Sequence, residues 1–194
     1  AAQASAPPPA ASIAPAPKPA AQPGDPGKIA ELRAQAEKQE AAKRFNDYVK
    51  TILQLAGLVE ETSEKVALFM RAADLYVNKF ANQAEAVKAY EQVIAIDPDN
   101  TSAEEYLRQM YEKRRDWEKL LNLQKRDAER TPAGPSRAAK FVEMAKLATE
   151  RVKKPELSIE LWNEVLGNDD SNPDALAALG PLFERTKEFD KLAQ

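Results

Sequence analysis

RFNDYV at 44–49, DWEKLL at 116–121 and EFDKLA at 188–193 follow one pattern. Each sets an aromatic residue (Phe45, Trp117, Phe189) ahead of two polar residues, then returns to bulky or apolar ones. Trp117 lies 72 residues after Phe45, and Phe189 lies 72 after Trp117. A fixed interval of this kind marks stacked structural units.

Working outward from these stretches, the same shift keeps like facing like. Phe69 pairs with Phe141, Ala73 with Ala145, and Leu75 with Leu147. Tyr90 pairs with Trp162, Val93 with Val165, and Ile94 with Leu166. Asn100, Ala103, Leu107 and Tyr111 pair with Asn172, Ala175, Leu179 and Phe183. No gap is needed anywhere along this register.

Within one unit the apolar residues recur at helical spacing. Leu68, Phe69, Ala72, Leu75 and Tyr76 predict a helix over Glu64–Lys79. Ala86, Val87, Tyr90, Val93 and Ile94 predict a second over Asn82–Ile96, stopped by DPDN at 97–100. Ala103, Tyr106, Leu107, Met110 and Tyr111 predict a third over Ser102–Arg114, started by Thr101 or Ser102. Trp117, Leu120, Leu121 and Leu123 predict a fourth over Asp116–Arg130, ended by TPAGP at 131–135. Ala, Leu, Glu and Lys fill the rest, all good helix formers. No β-branched run alternates with period two, so the chain from residue 28 onward reads as all-α. Two unlike helical hairpins of about 36 residues alternate within each repeat.

This pattern resembles the tetratricopeptide repeat (TPR) family. Leu176-x2-Leu179-Gly180-x2-Phe183 is similar to its first-helix run. Ala86, Tyr90 and Pro98 match the small residue, aromatic and closing proline of its second helix. Tyr111, Leu120 and Pro132 keep the family's spacing. Ala73 and Ala145 stand where that family has glycine, Arg108 replaces the glycine, and Leu120 replaces the small alanine. The repeats are degenerate, and the resemblance covers residues 44–194. It implies a right-handed α-solenoid of antiparallel hairpins that binds other proteins on the groove lined by its first helices. Phe45, Trp117 and Phe189 are then expected to plug equivalent grooves between helices. Full burial would make loss of Trp117 cost about 3–5 kcal/mol.

Composition sets limits on function. The chain has 194 residues and a net charge of −3. It has no basic stripe for nucleic acid and no run of the ~20 apolar residues that direct membrane insertion needs. It has no cysteine and no histidine, which removes disulfides, thiolates and the usual general base and metal ligand. Six glycines leave no phosphate-binding loop. The expectation is therefore no enzyme, no cofactor, no metal and no catalytic residue. The compartment stays open.

Three regions are expected. Residues 1–27 hold eight of the fourteen prolines, with Ile13 the single large apolar side chain. They read as a disordered, partly polyproline-II spacer. A Pro-rich docking motif at 7–9 or 15–19 is the alternative. Residues 28–62 read as a helical cap and a first partial hairpin, with a thin apolar pattern of Ile29 and Leu32. Residues 63–194 carry the repeats. The chain starts at Ala1 and stops soon after Phe189 opens a second helix, so the natural protein is expected to extend beyond this sequence.

Other candidates yield to simpler readings. Glu60–Glu61, Glu104–Glu105 and Asp169–Asp170 are adjacent pairs that diverge on a helix or cap a turn. DPDN at 97–100 and NDDSN at 168–172 lack the glycine and glutamate of a calcium loop and read as turns between repeats. Lys113–Arg115 and Arg151–Lys154 sit where helix C-termini favour cations. The residues expected to line the binding groove are Asp74, Asn78, Glu105, Gln109, Glu112, Lys146, Glu150 and Glu184. That lining favours a basic or mixed protein or peptide partner. The function expected is a non-enzymatic scaffold or adaptor. The alternatives are a structural subunit of a large assembly, or a helical regulatory region of a larger enzyme.

Overall fold

The computed structural model describes residues 24–186. Most of the expected spacer, and Phe189 with the last second helix, lie outside the described residues. Within them every regular element is helical. They form two compact units, one ending at Glu60 and one beginning at Glu61.

The first unit is a complete hairpin of α1 (Pro26–Ala41) and α2 (Phe45–Leu58). α1 begins at Pro26, within two residues of the expected boundary at residue 27. Asp25 Oδ1 accepts from the amides of Gly27 and Lys28 at 3.0 and 3.2 Å. Proline at the first helical position needs no donor and has its φ already set. Asp25-Pro26 is thus a helix-start signal that ends the proline-rich segment. Both helices of this hairpin bury apolar side chains. Leu32 and Ala36 of α1 are buried, and α2 buries Tyr48, Val49, Ile52, Leu55 and Ala56. The thin pattern on α1 suffices because its partner supplies most of the apolar surface.

The second unit holds seven helices. They are α3 (Thr62–Asn78), α4 (Gln83–Ile96), α5 (Thr101–Arg114), α6 (Trp117–Arg130), α7 (Pro135–Leu147), α8 (Pro155–Asn168) and α9 (Pro173–Thr186). A short π-helical stretch, Ala148–Val152, prolongs α7. Each helix packs on its neighbours in sequence, giving the hairpins α3–α4, α5–α6 and α7–α8 with α9 stacked on α8. This is a TPR-like helical repeat. Starts and ends repeat too: α6 begins 72 residues after α2, α8 after α4, and α9 after α5.

The shared register is the core. Ala73 and Ala145, Val93 and Val165, and Ala103 and Ala175 are all fully buried. Alanine at the helix crossings allows close approach, and the larger side chains fill what remains. Leu107 and Tyr111 fill the α3–α6 half, and Phe141, Leu161 and Trp162 fill the half around α7–α9. Trp117 departs from expectation. It is half-buried at the first position of α6.

The turns repeat as well. Asn100 Oδ1 accepts from the Ala103 amide at 3.1 Å, and Asn172 Oδ1 accepts from the Ala175 amide at 3.2 Å. Each asparagine also donates its side-chain amide to an aspartate, Asp97 or Asp169, at 3.1 Å. The helix cap is therefore Asn100, where Thr101 or Ser102 was expected. DPDN and NDDSN are closed by their own hydrogen bonds. Lys43, Ala81, Arg115 and Lys153 all adopt left-handed backbone, with φ of 56, 49, 59 and 59°. They also fall in two pairs 72 residues apart. These four helix-ending turns are thus made without glycine. Positive-φ glycines stand instead before helices, Gly24 at 87° ahead of α1 and Gly134 at 127° ahead of α7.

Candidate functional site

Each first helix of the second unit turns one stripe outward. On α3 it is Ala67, Arg71, Asp74 and Asn78, spaced by four, three and four residues, and all are exposed. The spacing keeps them on one face. On α5 the stripe is Thr101, Glu105, Arg108 and Glu112, with Gln109 beside it. On α7 and its π-helical extension it is Ala139, Glu143, Lys146 and Glu150. On α9 it includes Ala177 and Glu184.

All eight residues expected from the sequence are exposed on these first helices or on the extension of α7. Sequence reading missed Arg71, Arg108 and Glu143, although the same helical spacing places them on the stripes. Several of these charges are already engaged. Glu105 accepts from Arg108, and from Gln109 Nε2 at 2.7 Å. The bond from Arg108, then that from Gln109, holds the Glu105 carboxyl below its ordinary pKa. Lys146 pairs with Asp174 at 2.6 Å. The face therefore mixes both signs and is less acidic than the eight residues alone suggest.

Beneath the face, the equivalent positions differ. Burial, with the nearby Asp74 carboxylate, raises the pKa of the Tyr90 phenol. One repeat later the pair becomes Lys146 and Trp162, and the buried Trp162 indole nitrogen has no acceptor.

A second feature is an open cleft of about 290 Å³ where the α5–α6 turn meets the π-helical stretch. Arg115, Trp117, Arg151 and Val152 are among its walls. Lys154 and Glu118 pair at 2.7 Å nearby. Among the described residues, no group of three or more acidic side chains converges as a metal site would require. No helix there is long and apolar enough to cross a membrane.

The fold and its outward stripes define an array of TPR-like helical hairpins. No family model and no curated protein matches the chain. Among solved structures it is similar to MamA from Desulfovibrio magneticus RS-1, at 15% identity, 86% of this chain, 89% of that one and a TM-score of 0.36. MamA of AMB-1 gives 16%, 86%, 87% and 0.38. TPR-like repeats of a Podospora anserina kinesin light chain give 17%, 86%, 90% and 0.36. The assignment of the fold rests on the helix lengths, turns and period described above.

Proposed function

We propose that this chain is a protein-interaction scaffold with no chemistry of its own. Its docking surface is the face built by the first helices, centred on Glu105, Gln109 and Glu112 of α5 and flanked by Asp74, Asn78, Lys146, Glu150 and Glu184. The observation that carries the reading is the division of labour in each first helix. One side is locked into the core by Ala73, Leu107 or Phe141, and the opposite side is an exposed stripe that is mostly charged or polar, with Ala67, Ala139 and Ala177 between. Such a surface presents side chains on a rigid frame, so binding orders little of the scaffold. Its mixed charge suits a partner segment that carries both signs or is basic.

The test is capture of protein partners by three forms of the chain. Glu105→Lys with Glu112→Lys reverses two exposed charges two helical turns apart. Lys88→Glu, on the exposed side of α4 where Lys88 pairs with Glu85 at 2.7 Å, is the control. Partner capture falls for the first and persists for the second, with melting unchanged in both. Loss of capture in the control alone would move the docking surface to the second helices.

A further inference from the structure

We infer that the cleft beside Trp117 is a second docking site, suited to an acidic peptide segment that carries an aromatic or bulky apolar side chain. It uses none of the residues of the first-helix face and does not rest on that reading. Its walls come from the α5–α6 turn and from the π-helical stretch that prolongs α7. A volume of about 290 Å³ is at the low end for a ligand pocket. It suits one or two side chains of a peptide laid across an open cleft.

The walls combine apolar surface with unanswered positive charge. Trp117 and Val152 are half-buried, so each leaves part of its apolar surface in the cleft. Arg115 and Arg151, one from each wall, are exposed, and among the described residues neither has an ion-pair partner. The third cation of the lining, Lys119, is held by Glu91 at 2.7 Å. Of the two carboxylates there, Glu118 is held by Lys154 at 2.7 Å, which leaves Asp116. Lys113, Arg114 and Lys153 lie next along the chain, exposed and likewise without an ion pair among the described residues. Unpaired cations therefore outnumber unpaired carboxylates over 113–119 and 151–154, in a chain whose net charge is −3.

The helix dipole favours cations at every helix C-terminus, but it does not account for this cluster. α4 and α8 have no basic residue in the last turn, and their C-caps are Asp97 and Asp169. Arg130, which does end α6, is taken up by the Pro98 carbonyl at 2.6 Å and by Asp99 at 3.2 Å. Carboxylates of a peptide would gain charge-assisted hydrogen bonds from the two guanidinium groups. An apolar side chain between them would cover Trp117 and Val152. Trp and Arg are also the side chains that most often dominate binding at protein interfaces. A nucleic-acid backbone fits less well, because it brings phosphates against Asp116 and offers no apolar side chain to the indole.

The test is isothermal titration calorimetry of the full chain with the acetylated, amidated peptide EEFEE in low salt, where charge contacts are least screened. EEFEE binds, and its affinity falls as salt rises. KKFKK does not bind, and EEAEE binds roughly tenfold more weakly than EEFEE. Arg115→Gly with Arg151→Ala removes both guanidinium groups and lowers the affinity for EEFEE by roughly tenfold or more. Its melting temperature is no lower than that of the wild type. In the wild type, NMR reads the two indole N–H resonances, assigned with Trp117→Phe. The Trp117 signal shifts as EEFEE is added, and the signal of the buried Trp162 stays in place. A short oligothymidylate binds more weakly than EEFEE. Absence of EEFEE binding in low salt overturns the inference. So does binding that survives the loss of both arginines, that leaves the Trp117 signal unmoved, or that the oligothymidylate equals.

Discussion

Tyr111 of α5 donates its hydroxyl to Glu91 Oε1 of α4 at 2.8 Å, joining two consecutive hairpins. Lys119 of α6 reaches the same oxygen at 2.7 Å, and its ammonium lies 5.6 Å from the centre of the Tyr111 ring. One carboxylate oxygen thus ties three helices. Partial burial works against the Glu91 charge, but the bonds from Lys119 and Tyr111 prevail and hold its pKa below the ordinary value. Burial, and then the bond to Glu91, raises the pKa of the Tyr111 phenol.

The sign for Glu91 follows from linkage. A carboxyl whose pKa is lowered on folding contributes stability above its unfolded value and loses it as pH falls through the folded one. Glu91→Gln is therefore expected to flatten the acid side of the stability profile below about pH 4.5. Tyr111→Phe removes one donor and is expected to lower stability by about 1–2 kcal/mol at neutral pH. Urea denaturation across pH measures both. An acid limb identical in Glu91→Gln and wild type would contradict the assignment.

Phe141 and Trp117 separate core from rim. Phe141 is 1% exposed within its cluster, whereas Trp117 is only half-buried. Phe141→Ala is expected to cost about 3–5 kcal/mol, and Trp117→Ala only about 1–3 kcal/mol. Equal losses in chemical denaturation would mean that Trp117 is buried as deeply as the core.

The paired caps give a direct check on the period. Asn100→Ala and Asn172→Ala each remove the acceptor for a helix-start amide and are each expected to cost about 1 kcal/mol. Their effects should be similar, because the local geometry is the same. A cap that mattered in one repeat alone would show that the turns only look alike.

Arg115 offers a stabilising change. Left-handed backbone strains a residue with a Cβ, and glycine relieves that strain at a helix end. Arg115→Gly is expected to raise stability by about 0.5–1 kcal/mol, read as a higher midpoint in urea. A loss of that size would show that the Arg115 side chain holds the α5–α6 turn.

How far the fold was legible follows from these particulars. Helix spacing and the 72-residue register located the core, because Ala73, Val93 and Ala103 recur with the same neighbours. Register does not report burial, however. Phe69 is half-buried and Phe141 buried at equivalent positions, since α3 opens its unit while α7 lies between α6 and α8. Periodicity also says little about helix ends, where one side chain decides. Asn100 outcompetes Thr101 and Ser102 as the cap, and Asp25-Pro26 starts a helix that composition alone assigns to the spacer. The exposure of the eight residues was legible because it follows from opposition to the apolar stripe of each helix. Their engagements, such as Lys146 with Asp174, join separate helices and lie beyond the reach of local spacing.

The most direct test of the docking face is hydrogen–deuterium exchange of the array, free and bound to a partner it captures. The account predicts that added protection concentrates in α3, α5 and the stretch from α7 through its π-helical extension, while α4, α6 and α8 change little. Protection gathered on the second helices, or confined to the Trp117 cleft, would contradict it.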